Sequence, residues 1–504
     1  MAVHPETGPR PAHAEQGRLA DAALQRAAEL GVHSAEFRAE QVRDASWRLR
    51  DARPAGASDT VTAGFSVRVL RDGVRGFAAR TASGVDAAVA AVDEAVRVAE
   101  AARPLARRRI ETVPEPVHGE RTWLSGYVTD PFDVPERDRT ALLAEYSARL
   151  LAAPGVRHAD AFVQAVRERT FLADLAGNRI LQERVRVLPE FTARTVDPRT
   201  AAPVTLRTTA PSAGRGWEYL TGTGWDWDGE LAGLPELLAQ KAAAPTVEPG
   251  VYDLVIDPTN LWLTLHETVG HATELDRALG HEASFAGTSF ATPDRLGTLR
   301  YGSPAMNVTA DRTAPHALAT IGYDAEGVAA QRWDLVRDGV LTGFQVDRAG
   351  AARAGYPRSN GCSFGGGFDQ QPLQRMPNVS LRPAAGGPDT QELVSRVRDG
   401  LYVVGDGSWS IDTRRQNFQF TGQRFHRIRA GRIVGQVRDA AYQSTTTDFW
   451  RSLEAVGGPR TYLLCGAFHC GKGRPVQIAP AGHGSPSALF RGVGVLNTRE
   501  ENRR

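Results

Sequence analysis

The segment spanning residues 257–280, DPTNLWLTLHETVGHATELDRALG, constrains this chain more than any other stretch of it. Asp257 suits a helix N-cap, and Pro258 suits the first helical position, where a missing N–H costs nothing. Leu261, Leu265 and Leu275 supply an apolar face, and Gly280 supplies a stop. On this helix stand His266, Glu267 and His271, a His-Glu-x-x-x-His pattern with its histidines five apart. Helical histidines that share one ion are usually spaced by four, which puts both rings on one face. At about 100° per residue, five steps separate two side chains by roughly 140°. A single π turn, at about 4.4 residues per turn, reduces that offset to roughly 50°. If the rings are to meet, the helix must deform between His266 and His271. Gly270 is where the backbone yields at least steric cost.

Two imidazoles do not complete a mononuclear site with an open position, which takes three protein ligands. The chain has three cysteines, Cys362, Cys465 and Cys470. So sparse and odd a number argues against a disulfide framework and for a reducing, cytoplasmic home. Cys470 lies in LLCGAFHCGKGRPVQIAPAGHGSP, followed by Gly471 and Gly473, which let the backbone turn a thiolate toward a metal. Cys465 sits in an apolar run and reads as core. His469 is a rival ligand, but neighbours in an extended segment point opposite ways, so only one of the pair faces an ion. The thiolate is the preferred reading. Mixed nitrogen and sulfur donors suit Zn2+ best, with iron or another divalent transition metal as the alternative. Glu274 and Asp276 can orient a ligand imidazole through its other nitrogen, although a solvated helix face is the preferred reading. His281-Glu282 lacks a following histidine at useful spacing and reads as exposed or supporting.

The rest of the chain sets the frame for that segment. At 504 residues it exceeds one typical domain. Residues 1–16 are polar and carry three prolines, which predicts a disordered extension with no secretory signal. Residues 17–30 read as a helix, 62–80 as a hairpin turning at Asp72-Gly73, and 85–102 as a second helix. Residues 104–134 carry four prolines and read as a linker or crossing segment. A helix near 135–152 and strands over 159–191 then repeat the pattern. This predicts an N-terminal α+β domain with antiparallel strands over 17–242. Residues 243–504, with short strand-like runs between Gly-bearing turns, predict a β-rich domain carrying the one metal-binding helix. Lys plus Arg (60) and Asp plus Glu (58) nearly cancel, which gives no electrostatic case for nucleic acid or an anionic membrane as partner. No run is long and apolar enough to predict a transmembrane helix.

Several blocks in order, HETVGHATELDRALGHEASFAGTSF, LRYGSPAMNVTADRT, GYDAEGVAAQRWDLVRDGVLTGF, RSNGC and the C-terminal CGKG with PVQIAP, resemble the TldD branch of the TldD/PmbA peptidase family. EFRAEQVRDASWRLRD and GFSVRVLRDGVRGFAA resemble its N-terminal region, so the likeness runs along nearly the whole chain. The resemblance implies a metallopeptidase with its ion on His266, His271 and Cys470 and with Glu267 as catalytic base. It further implies pairing with a homologous, metal-free subunit (a homodimer being the alternative) around a site that admits short or unfolded peptides in extended form. Some members mature peptide natural products. An amidase acting on a small biosynthetic conjugate, or a non-catalytic scaffold of the same fold, are the competing readings. The chain departs from the family pattern at FGGGFD, residues 364–369, at His469 before the cysteine, and in the short stretch after CGKG. These positions bear on substrate choice more than on the metal.

Overall fold

Helices of 16–18 residues alternating with long antiparallel strands organise the first half. The computed structural model describes residues 12–81 and 83–501. A first round consists of α1 (Ala12–Glu29), β1 (Ser34–Arg50), β2 (Arg53–Arg71), β3 (Val74–Arg80) and α2 (Val85–Ala102). A second contains β4 (Glu120–Leu124), α3 (Glu136–Leu151), β5 (His158–Asp174), β6 (Arg179–Val196), β7 (Pro203–Arg207) and α4 (Trp227–Ala243). Both rounds contribute to one sheet, ordered β3-β2-β1-β5-β6-β4, with β7 also on β6. The seam is the antiparallel pair β1–β5, in register from Glu36–Asp174 to Arg50–Asp160. Ala-rich faces of α1 and α2 bury against Phe37, Val67 and Val69, while Leu143 of α3 and Leu231 of α4 bury against Phe191. Gly76 of β3 marks how tightly α2 lies on the sheet, since a Cβ there would meet the Ala95 carbonyl oxygen at 1.7 Å.

The hairpin at Asp72-Gly73 is present, with φ of 49° and 72° and Arg71 paired to Val74, the geometry of a two-residue turn. Three expectations need correction. Of the extension assigned to 1–16, residues 1–11 lie outside the described residues, and the chain is helical from Ala12 onward. Residues 104–134 include β4, which pairs in parallel with β6 and so belongs to the sheet. β2 begins at Arg53, well before the expected hairpin; its first part is exposed on both faces, so no polar–apolar alternation announced it.

The fold is α+β with a β-rich second half, as expected. Its centre is a closed barrel. The strand Asp399–Ile411, β8 (Gly250–Ile256), Ala488–Asn497, Ala440–Thr445 and Asn417–Arg429 pair in that order, and the last pairs back to the first. Only the pairing of β8 with Asp399–Ile411 is parallel. Leu254, Ile256, Phe420, Tyr442, Phe449, Trp450 and Phe490 fill the core. β8 leads directly into α5 (Pro258–Leu265), which lies against Asp399–Ile411 and against a hairpin of Leu463–Lys472 and Gln477–Ser485. More than one helix interrupts this half, because Arg348–Ala354, Thr390–Ser395 and Thr446–Arg451 are also short helices. Among the described residues no helix is long and apolar enough to cross a membrane.

Candidate metal centre

The helix after β8 starts as its sequence dictates and then changes pitch. The Asp257 side chain accepts from the Thr259 N–H, and Pro258 occupies the first turn. The α-helix ends at Leu265; His266–Gly270 is a π turn, closed by the His271 N–H on the His266 carbonyl, and His271–Thr273 is a 3-10 turn. This is the deformation that the five-residue spacing demands, and it brings the two imidazole centroids to 4.6 Å. The altered pitch leaves carbonyls in need of donors. Gln345 Nε2 donates to the Gly270 carbonyl at 2.5 Å, and the buried Tyr301 hydroxyl donates to the Thr268 carbonyl.

Gly270 plays a different part from the one expected. Its φ of −53° and ψ of −63° are ordinary right-handed values, so conformational freedom is not what the position requires. A Cβ there would instead meet Met376 Sδ at 2.5 Å and Cε at 2.8 Å. Gly270→Ala should therefore destabilise the protein by about 1–3 kcal/mol through overpacking, read as a lower melting temperature. Combining it with Met376→Ala should recover part of the loss. If the double variant melts no higher than Gly270→Ala alone, the clash is not the cause.

His266, His271 and Cys470 come together across the helix–hairpin boundary. One ligand atom from each lies within 4.8 Å of the others, and all three residues are buried. Cys470 Sγ stands 3.5 Å from His271 Nε2. Around a tetrahedral ion with bonds of about 2.0–2.3 Å, ligand atoms lie roughly 3.3–3.7 Å apart, so the cluster is near that size. The tautomers are fixed from outside. His483 Nδ1 lies 3.0 Å from the Val379 carbonyl, which can only accept, and His483 Nε2 lies 2.7 Å from His266 Nδ1. His266 must then donate through Nδ1, which leaves its Nε2 lone pair for a cation. His271 Nδ1 lies 2.9 Å from Glu274 Oε2, with the same consequence.

Electrostatics agree with that assignment. Burial above all holds His266 well below the usual imidazole range and takes His271 and His483 down to about 3, so all three rings are neutral. Burial also pushes the Cys470 thiol up to about 11. A thiolate there needs a compensating positive charge, which a divalent ion supplies. The donor set fits a metal.

Glu274 is fully buried, which corrects the preferred reading of a solvated face. Burial opposes its charge, but Lys472, His271 and Arg277 together hold its carboxyl well below the usual range. Lys472 Nζ is 3.2 Å from Glu274 and 2.8 Å from Asp276. Glu267 sits beside the cluster, ion-paired with Arg415; burial pushes its carboxyl up against the pull of that guanidinium. His469 is not in the cluster: its Nε2 lies 2.9 Å from Gln164 Oε1, although the residue lines both cavities that border the site. Cys465 is buried. His281 meets Arg353 at 2.6 Å, away from the cluster.

Two cavities meet at this point. One, of about 450 Å³, is lined by His266, Glu267, His271, Trp409, Arg415 and Cys470. The other, of about 300 Å³, shares His266, Glu267 and Trp409 and continues past Trp262, Leu188 and Phe468 toward the N-terminal sheet.

Sequence reasoning missed His483 and Arg415. The first had a faint signal, a histidine between two glycines in the strand that pairs with the cysteine strand; the second had none. His483→Ala should weaken metal binding by about 10- to 100-fold, measured by chelator competition. Unchanged affinity would show that the His266 tautomer does not depend on it.

What fold and cluster define is a candidate metal-site protein with mixed nitrogen and sulfur donors. Two models of one family match it, the PmbA/TldA metallopeptidase domain 1 over residues 35–102 and the C-terminal domain over 249–497. The chain belongs to the PmbA/TldD metallopeptidase family. A protein of Methanothermobacter thermautotrophicus named metalloprotease is 31% identical over 271 residues, which cover 54% of this chain and 55% of that relative. The chain thus spans about half the length of the curated relatives it matches. Among solved structures, a protein of Thermotoga maritima described as a modulator of DNA gyrase has a TM-score of 0.76 at 15% identity, covering 95% of this chain and 100% of its own. TldE from Thermococcus kodakarensis has a TM-score of 0.69 at 15% identity, covering 94% and 99%. Likeness at that identity concerns the fold alone.

Proposed function

We propose that this chain hydrolyses amide bonds in short or unfolded peptides, with its metal on His266, His271 and Cys470 and with Glu267 as general base. One observation carries the reading: three metal-type ligand atoms within 4.8 Å of one another open onto a cavity that Glu267 also lines. Zn2+ suits the two imidazoles and one thiolate. When bound, such an ion polarises a scissile carbonyl and acidifies a water. Glu267 takes the proton of the attacking water and delivers it to the leaving nitrogen as the C–N bond breaks. Arg415 holds Glu267 Oε2 and so fixes how that carboxylate faces the cavity. His483 and Glu274 keep the two ligand imidazoles in the tautomers a cation requires.

The domain holding this chemistry comprises residues 243–504, joined to the α+β domain of 17–242. In the reading proposed, the active form pairs this metal-bearing subunit with a homologous metal-free one, which encloses the site and limits it to extended peptides. A cytoplasmic location accords with three free, buried cysteines. Mass spectrometry of products from peptide pools and small amide conjugates, with the chain alone and with a homologous partner, tests the proposal. New peptide termini that vanish on chelation support it. Cleavage confined to small conjugates, or none under any condition, sinks it.

A further inference from the structure

The strand that carries Cys470 does not run straight to it. In the hairpin of Leu463–Lys472 with Gln477–Ser485, Ala467 pairs with Ala481 and Cys470 with Ala479, so the cysteine strand holds one extra residue between those pairs. Such a β-bulge re-aims side chains and is common beside active sites. The bulged residues, Phe468 and His469, both contact β5 of the N-terminal sheet, at positions two apart and so on one face. Phe468 is buried with Val166 and Leu318, whereas His469 is exposed and its Nε2 lies 2.9 Å from Gln164 Oε1.

Gln164 decides the direction of that second contact. Its Nε2 donates to both carboxylate oxygens of Asp44, on β1, at 2.8 and 3.0 Å. A carboxylate only accepts, so the amide oxygen is what faces the imidazole, and His469 Nε2 must carry a hydrogen. The neutral ring, the ordinary form of an imidazole above about pH 6.5, then has its lone pair on Nδ1. That nitrogen has no hydrogen-bond partner among the described residues.

Location gives the lone pair a use. Four residues line both cavities, His266, Glu267, Trp409 and His469, and they form the neck where the two meet. In the hydrolytic reading His266 is committed to the ion and Glu267 to the attacking water. The Trp409 indole can only donate. Of the four, His469 alone keeps an acceptor to spare. An extended peptide passing the neck brings backbone N–H groups that need acceptors once water is displaced.

We propose that His469 Nδ1 accepts a hydrogen bond from a backbone N–H of the bound peptide within one residue of the bond to be cut, in a tautomer imposed by Gln164 and Asp44 of the N-terminal domain. The inference rests on the hydrolytic reading and deepens it. It makes His469 a substrate-binding residue and narrows the substrates to peptides with an N–H at that position, which excludes proline and N-methylated residues there.

The test takes the full chain with its metal and homologous partner, and an acetylated, amidated peptide that wild type cleaves. Each backbone N–H flanking the cleaved bond is replaced in turn by an ester oxygen. One such replacement should lower wild-type kcat/KM by about 3- to 10-fold, the worth of one hydrogen bond. His469→Phe, which keeps a ring in the bulge, should handle that ester and its parent alike. So should Gln164→Lys, whose donor-only side chain moves the imidazole hydrogen to Nδ1 and which Asp44 still neutralises. A merely structural role predicts equal losses on parent and esters, and that result overturns the proposal, as does an ester penalty that persists in His469→Phe. The ring nitrogen chemical shifts give a readout without peptide, the His469 signals being those absent from His469→Phe. Wild type should show a bare Nδ1 and Gln164→Lys a protonated one; a protonated Nδ1 in wild type overturns the proposal whatever the activity. If no peptide is cleaved, the hydrolytic reading fails, and calorimetry with acetylated, amidated tetra-alanine decides the contact by itself. Binding to wild type should be about 3-fold or more tighter than to His469→Phe, and equal binding overturns it.

Discussion

Glu267→Gln protein should keep its metal and lose turnover by about 10²-fold or more. The amide is nearly isosteric with the carboxylate but cannot accept a proton at neutral pH, so the attacking water loses its base. The ligand atoms belong to His266, His271 and Cys470 and not to Glu267, which is why metal content should stand. The substitution also removes the counter-charge of the largely buried Arg415 side chain, so a modest fall in melting temperature is expected alongside. Elemental analysis and kinetics on the same preparation check this. Loss of the metal would make Glu267 a ligand, and retained activity would move the proton to another group.

The second large effect concerns the ligands. Purified wild type should carry about one transition-metal ion per chain, and Cys470→Ala or His271→Ala should carry almost none, with activity falling in step. The two variants probe opposite sides of the site, since His271 stands on the deformed helix and Cys470 on the hairpin. In His271→Ala, Glu274 keeps Lys472 and Arg277 as partners, so the variant should still fold. A folded Cys470→Ala protein with full metal would remove the thiolate from the assignment.

How much of this was legible in the sequence depended on range. The turn at Asp72-Gly73 was readable because two residues determine it. The π turn was readable because a spacing of five has few ways to put two imidazoles together. Cys470 stood out through the glycines after it. His483 and Arg415 were invisible for the opposite reason: each acts across a large sequence separation, 217 residues to His266 and 148 to Glu267. Arg415 sits in DTRRQN, which reads as any polar surface turn. Glu274 was misjudged because acidic residues late in a helix usually face water, and its burial is explained by partners on three sides, His271, Arg277 and the distant Lys472, one of two lysines in the chain. Barrel closure was equally hidden, since no local pattern says that Asp399–Ile411 pairs in parallel with β8.

That closure has a consequence for how the protein is made. β8 lies between Asp399–Ile411 and Ala488–Asn497, so both its edges await strands encoded much later. At a synthesis rate of about 5–20 residues per second, the wait from β8 to its last partner is roughly 10–50 s. Through that interval the nascent chain presents an apolar strand with open hydrogen-bonding edges, the kind of surface that recruits wrong partners. Cys470 also emerges late, so the ion cannot be captured early to hold the fragment together. Chains that stall between residues 256 and 488 should thus be clients of the cell's holding machinery, whereas completed chains close the barrel and assemble the metal ligands in one event.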